Sequence, residues 1–160
     1  MPTEGRATDG AMAGIGSIAV GSDHAGLPLK NEIVAALAEL GRTFEDFGTF
    51  EVTSVDYPDY AQRVAQAVLA GKHRFGILLC GTGVGISIAA NRHAGIRAVV
   101  CSEPYSAAMA RRHNDANVLC MGARVVGPGL GRDILEAFLA MDFEGGRHQR
   151  RVEKIELGPR

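Results

Sequence analysis

Cys80 stands at the head of a glycine run, Gly81-Thr82-Gly83-Val84-Gly85, and closes the apolar stretch Phe75-Gly76-Ile77-Leu78-Leu79. Glycines at this spacing let backbone N–H groups point into a site at a helix start, a nest that holds a phosphate or a developing oxyanion. No Lys follows the glycines, so the run is not a nucleotide-binding P-loop. Ile86 occupies the place where a dinucleotide fingerprint needs its last Gly or Ala. Read alone, the run fits a tight strand-to-helix turn equally well. A thiol at the end of a strand and the start of a helix feels the helix dipole, which suits a general base or a nucleophile. The alternative for Cys80 is a small buried hydrophobe, and that is the reading for Cys101 and Cys120 inside their apolar runs.

Other polar residues gather behind apolar runs in the same way. Ser22-Asp23-His24 follows Ile18-Ala19-Val20, Ser102 and Glu103 follow Arg97–Cys101, and Arg124 follows Val118–Met121. His113-Asn114-Asp115 precedes a strand and reads as a cap region. Neither His24 nor His113 sits in a recognised metal-binding spacing, so no metal is expected. Arg147 and Arg151 are one helical turn apart. With Arg124 they could clamp a phosphate, or they could simply be the solvated basic end of the chain.

The elements that must position these residues alternate regularly. After Ile18–Val20, the apolar residues Leu29, Ile33, Val34, Leu37 and Leu40 recur at helical spacing, with Lys30, Glu32 and Glu39 on the opposite side. A weaker strand over Thr43–Phe47 follows. A helix begins at Asp56-Tyr57-Pro58-Asp59 and ends at Gly71. The Phe75–Cys80 strand leads through the glycine run into a small-residue helix reaching Asn91. Then come a strand at Arg97–Cys101, a helix at Glu103–His113, a strand at Val118–Met121 and a helix at Leu130–Ala140. Strands apolar throughout are buried on both faces, so the expected fold is α/β: a Rossmann-like, doubly wound, five-stranded parallel sheet with helices on both faces. In such a sheet, ligands bind beyond the carboxyl ends of the strands, where the polar residues above are found.

The chain has 160 residues, one domain's worth, with 46% hydrophobic and 22% charged residues. A formal net charge of -1 gives no electrostatic footprint for nucleic acid or an anionic membrane. Aromatics are 6% with no Trp, which argues against a base-stacking platform. Three cysteines in apolar contexts are not a disulfide framework and point to a reducing, cytoplasmic setting. No apolar run approaches the ~20 residues of a membrane span. Residues 1–16, rich in Gly, Ala and Thr, are expected to be a disordered extension and residues 17–160 the single domain. The segment after Met141, with Arg147, His148, Arg150 and Arg151 behind a diglycine, is too polar for a core helix. It lies on the surface or serves a neighbouring subunit.

Several of these segments, in this order, resemble one family. They are Gly21-Ser22-Asp23-His24-Ala25-Gly26, Asp56-Tyr57-Pro58, Cys80 through Asn91, Gly95-Ile96-Arg97-Ala98, His113 through Val118, and Gly145-Gly146-Arg147-His148. From about Ile18 to Leu157 the chain is similar to type B ribose-5-phosphate isomerases, in the wider group that includes allose- and galactose-6-phosphate isomerases. The resemblance implies a cofactor-free interconversion of ribose 5-phosphate and ribulose 5-phosphate through an enediolate. Cys80 would be the base that moves a proton between C1 and C2, and the Gly81, Thr82, Gly83, Val84 and Gly85 backbone would receive the oxyanion. Some members carry a Glu in the glycine run instead; here Ile86 fills that place, which puts the chain in the Cys branch. His113 would open the furanose ring as proton donor. Asp23 and Thr82 would lie at the reacting atoms, with Ser22 and Tyr57 beside the sugar and Asn114 on its hydroxyls or oxyanion. Arg124, Arg147 and Arg151, with His24 nearby, would hold the phosphate. The resemblance also implies a homodimer (or a tetramer built from it) with shared sites and the last helix packed on the partner. A hexose 6-phosphate substrate, or a non-catalytic phosphate- or nucleotide-binding role, are the alternatives.

Overall fold

The computed structural model describes residues 16–156, so residues 1–15 of the expected extension lie outside the described residues. Five strands and six helices alternate: β1 (Ile18–Ser22), α1 (Leu27–Glu39), β2 (Phe44–Asp46), α2 (Tyr57–Leu69), β3 (Phe75–Cys80), α3 (Val84–Ala90), β4 (Ala98–Val100), α4 (Pro104–Asn114), β5 (Val118–Gly122), α5 (Pro128–Leu139) and α6 (Arg147–Ile155). All strand pairs are parallel, in the order β2-β1-β3-β5-β4. Every residue of β1, β3 and β5 is buried, as their unbroken apolar runs require.

Side-chain alternation divides the interior into two cores. Ile18, Val20, Phe75, Ile77, Leu79, Leu119 and Met121 pack with α1, α4 and α5. Ala19, Leu78, Cys80, Val118 and Cys120 pack with α2 and α3. The expected inward residues of α5, namely Ile134, Leu135, Phe138 and Leu139, are all buried. Helix starts are prepared locally: the Glu103 carboxylate accepts from Ser106 N at 3.0 Å, and Pro104 opens α4. The cations Arg111, Arg112 and His113 lie in the last turn of that helix, where the dipole favours them.

Two expectations need correction. Lys30 does not face solvent with Glu32 and Glu39. It is 0% exposed, and its Nζ donates to both Asp46 carboxylate oxygens at 2.7 Å and lies 4.4 Å over the Phe50 ring. Its charge is matched by an acid on β2, so the helical pattern of apolar residues did not reveal its burial. The strand at Arg97–Cys101 is shortened to Ala98–Val100 and forms a sheet edge, with Val100 42% exposed rather than covered on both faces. The last helix exists, packs against α4 and buries only His148 and Val152.

Candidate active site

The strand order reverses direction at β1 and β3. β1 leads outward to β2, whereas β3 lies on the other side of β1. The crevice beyond the carboxyl ends at such a switch point is where open α/β sheets bind ligands. A cavity of about 450 Å³ opens there, lined by Asp23, His24, Ala25, Tyr57, Cys80, Gly81, Thr82, Val84, Gly85 and Arg124. The residues come from the ends of β1, β3 and β5 and from the first turns of α2 and α3.

Several are held in place by local contacts. Asp23 accepts from Gly26 N on Oδ1 at 2.9 Å, which ties the carboxylate to the start of α1. His24 accepts from Val55 N on Nδ1 at 3.1 Å, so in the neutral ring Nε2 carries the proton. Gly83 N donates to Cys80 Sγ at 3.1 Å, the contact that a thiolate accepts best. Val84 N donates to Thr82 Oγ1 at 3.2 Å. Two loop amides are thus directed onto side chains of the loop itself. Gly83 sits at φ 80°, a left-handed conformation that favours glycine. Gly122 lets the loop pass over β5, because a Cβ there would stand 2.5 Å from the Thr82 carbonyl carbon. Arg124 is anchored by its N–H to Gly81 O at 3.0 Å, and its guanidinium lies against Gly81.

The three thiols differ in what surrounds them. Burial, with Glu103 adding to it, pushes the Cys101 thiol up to about 11. Burial also pushes Cys120 well up. Both are therefore structural thiols, while Cys80 alone among them lines the cavity.

The remaining residues singled out in the sequence lie elsewhere. Ser22 is fully buried with an unpartnered Oγ and does not reach the cavity. Gly83 shapes the loop without lining the cavity. His113 and Asn114 are at the end of α4, and Arg147 and Arg151 project, exposed, from α6. Asn114 lines a second, larger cavity of about 560 Å³ between the α3–β4 connection and the end of α6, which contains none of the cysteines. Within one chain the structure therefore forms two groups. One is the thiol and glycine run with Asp23, His24, Tyr57 and Arg124. The other is His113 and Asn114 with Arg147 and Arg151.

The second group contains residues the sequence reading gave no role. Glu144 Oε2 lies 3.9 Å from His113 Nε2 and 3.6 Å from His148 Nε2, and the two imidazoles stack at 4.3 Å with planes 11° apart. The signal was present as the i,i+4 spacing of Glu144 and His148, but their meeting with His113 depends on how α6 docks on α4. Three such donors could hold a cation only if both rings turned. Imidazole binds a metal in its own plane at ~2.0–2.1 Å, and two nearly parallel planes do not converge on one ion. Burial, with the neighbouring His113 and Arg147 charges, lowers the His148 pKa from its ordinary value, which favours the neutral ring.

Known proteins match this arrangement over nearly the whole described chain. A family described as ribose/galactose isomerase matches residues 18–155. The chain is 60% identical over 138 residues to ribose-5-phosphate isomerase B of Escherichia coli, which covers 86% of this chain and 93% of that protein. It is 48% identical to a D-erythrulose-4-phosphate isomerase of Pectobacterium atrosepticum, over 87% of this chain and 92% of that one. A solved ribose 5-phosphate isomerase from Thermotoga maritima superposes with a TM-score of 0.87 at 50% identity, covering 88% of this chain and 97% of that one. With a family match from β1 to the end of α6 and relatives of this identity, the chain belongs to the ribose/galactose isomerase family.

Proposed function

We propose that the protein interconverts D-ribose 5-phosphate and D-ribulose 5-phosphate. The observation that carries this is Cys80 in the lining of the switch-point cavity, with an amide on its sulfur and Arg124 in the same lining. An aldose–ketose exchange moves a proton between neighbouring carbons and redistributes electrons within the substrate. It needs a base beside the carbons, donors for the enediolate oxygen and an anchor for the phosphate. Cys80 is the base. Asp23 and Thr82 flank it, and the glycine-run backbone faces the oxyanion. Tyr57 and His24 line the walls. The Nε2–H of neutral His24 gives a donor suited to hydroxyl or phosphate oxygen. No redox cofactor enters, because the substrate is both oxidised and reduced internally. The relatives named for ribose 5-phosphate support the pentose over a hexose 6-phosphate.

In this reading the second group of residues completes the site from a partner chain. His113 donates a proton to open the furanose ring, Asn114 binds hydroxyls, and Arg147 and Arg151 join Arg124 on the phosphate. Support comes from their absence from the cavity lining within one chain and from exposed apolar residues on α3 and β4: Val84, which lines the cavity, is 50% exposed, Ile88 60% and Val100 42%. Ser22, buried and unable to touch a ligand here, is left out. Among the described residues no helix is long and apolar enough to cross a membrane. Three buried, unpaired thiols fit a cytoplasmic enzyme.

The test is isomerase activity on ribose 5-phosphate and allose 6-phosphate, for the wild type and Cys80→Ala. Ribose 5-phosphate should give the higher kcat/KM, and Cys80→Ala should lose roughly 10²–10⁴-fold in kcat while still binding phosphate. Near-normal turnover by the variant removes Cys80 from the role of base.

A further inference from the structure

His148 is an anomaly that folding alone does not account for. It is 6% exposed, and its Nε2 is buried without a hydrogen-bond partner. A buried, unpaired ring nitrogen is unfavourable, and a nonpolar ring would fill the same space without that penalty. The nitrogen points to the Glu144 carboxylate, 3.6 Å away, which also faces His113 Nε2 at 3.9 Å. The carboxylate is itself braced. It pairs with Arg112, one residue before His113 on α4, and Glu144 N donates to Arg112 O at 3.0 Å. His113 is half-buried at the end of its helix, where a lone imidazole would turn freely among rotamers. Here the His148 ring lies flat against it, 4.3 Å away. Being neutral, that ring can remain stacked whether or not His113 carries a proton.

We infer that Glu144 and His148 are positioning residues for His113: the buried imidazole plate and the braced carboxylate fix the plane of the His113 ring and the direction of its nitrogen toward the sugar. This rests on the reading of His113 as the ring-opening acid. A proton donor contributes only when aimed at the atom it protonates, and a displacement of about 1 Å can cost up to ~10²-fold.

Two reactions separate this role from a general one. Ribose 5-phosphate is chiefly a closed furanose and must be opened. Ribulose 5-phosphate has its C5 oxygen phosphorylated, so it has no furanose form and enters open. The fixed equilibrium constant ties kcat/KM of the two directions together, so net turnover of both substrates falls in step. Exchange of the ribulose 5-phosphate C1 hydrogen with solvent deuterium is not tied in this way, because it runs through the enediolate without a ring step. His148→Ala and Glu144→Gln should each lower kcat for ribose 5-phosphate about tenfold with KM within about twofold, and leave that exchange near wild type. His148→Phe, which restores a flat ring without a nitrogen, should recover most of the rate lost in His148→Ala. If His148→Ala fails to fold, as judged by its melting transition, His148→Phe and Glu144→Gln carry the test. Then Glu144→Gln must lose turnover without losing exchange, and His148→Phe must stay close to wild type. Equal losses of turnover and exchange, a rise in KM alone, or a Phe variant as slow as the Ala variant would overturn the inference. His113→Ala is the control. If it slows turnover but not exchange while the other variants do not, only the positioning role fails. If it slows turnover and exchange equally, or neither, the ring-opening role fails and the positioning role with it.

Discussion

Cys80 is 4% exposed, yet it lines a cavity, a combination that would protect a reactive group without isolating it. Cys101 and Cys120 are as buried but do not line that cavity, and burial keeps their protons on: it pushes Cys101 up to about 11 and Cys120 well above the ordinary thiol value. At pH 8 both lie on the protonated side and are poor nucleophiles. Iodoacetamide at that pH should therefore add one group per chain, at Cys80, with loss of activity and protection by ribose 5-phosphate. Peptide mass mapping checks this, and equal labelling of Cys101 would contradict it. If Arg151, exposed on α6, anchors the phosphate as proposed, substitution by Ala should raise KM for ribose 5-phosphate about tenfold with kcat little changed, because such an anchor holds ground and transition states alike. Steady-state kinetics decide that point, and a fall in kcat at constant KM would contradict it. The turn from Cys80 through the glycine run into α3, beside a cavity, was legible because it is written within six consecutive residues. Glu144 and His148 were not, because their meaning lies in a contact with another helix.

At the scale of elements, alternating apolar runs and helical spacings revealed every strand and helix, since burial on two faces leaves an unmistakable pattern in β1, β3 and β5. Lys30 broke that reading. A lysine inside a helix is assigned to the wet face by type, and only tertiary pairing with Asp46 on β2 makes its burial tolerable. The pair joins α1 to an edge strand only three residues long. Asp46→Ala should cost about 3–5 kcal/mol, because it strands a buried ammonium, whereas Lys30→Met should cost less, the remaining carboxylate being 20% exposed. Urea unfolding of both variants measures the difference, and the reverse order would show that the pair is not what holds β2 in place. The edge strand β4 was drawn too long for a related reason. The Arg97 N–H donates to the Asn117 side chain at 2.8 Å rather than to a carbonyl of β5, so the ladder starts at Ala98.

For the whole molecule, the separation of the thiol group from the arginine group makes a quantitative statement about assembly. If each site takes Cys80 from one chain and His113 from another, two inactive variants should rescue each other. Cys80→Ala mixed with His113→Ala, unfolded and refolded together at equal amounts, should recover about a quarter of wild-type activity. Half the dimers are then mixed, and each holds one intact site of two. Recovery of none would mean that each chain works with its own residues. The parallel sheet has a further consequence, in time. The cavity needs residue 18 beside 75 and residue 76 beside 118, pairings across long stretches of chain. Parallel strands cannot meet through a short hairpin, so the loops between them must close before any part of the cavity exists. Helices can form early and locally, but the pocket is among the last things the folding chain acquires. Newly made protein will therefore hold much of its secondary structure before it can turn over a single sugar.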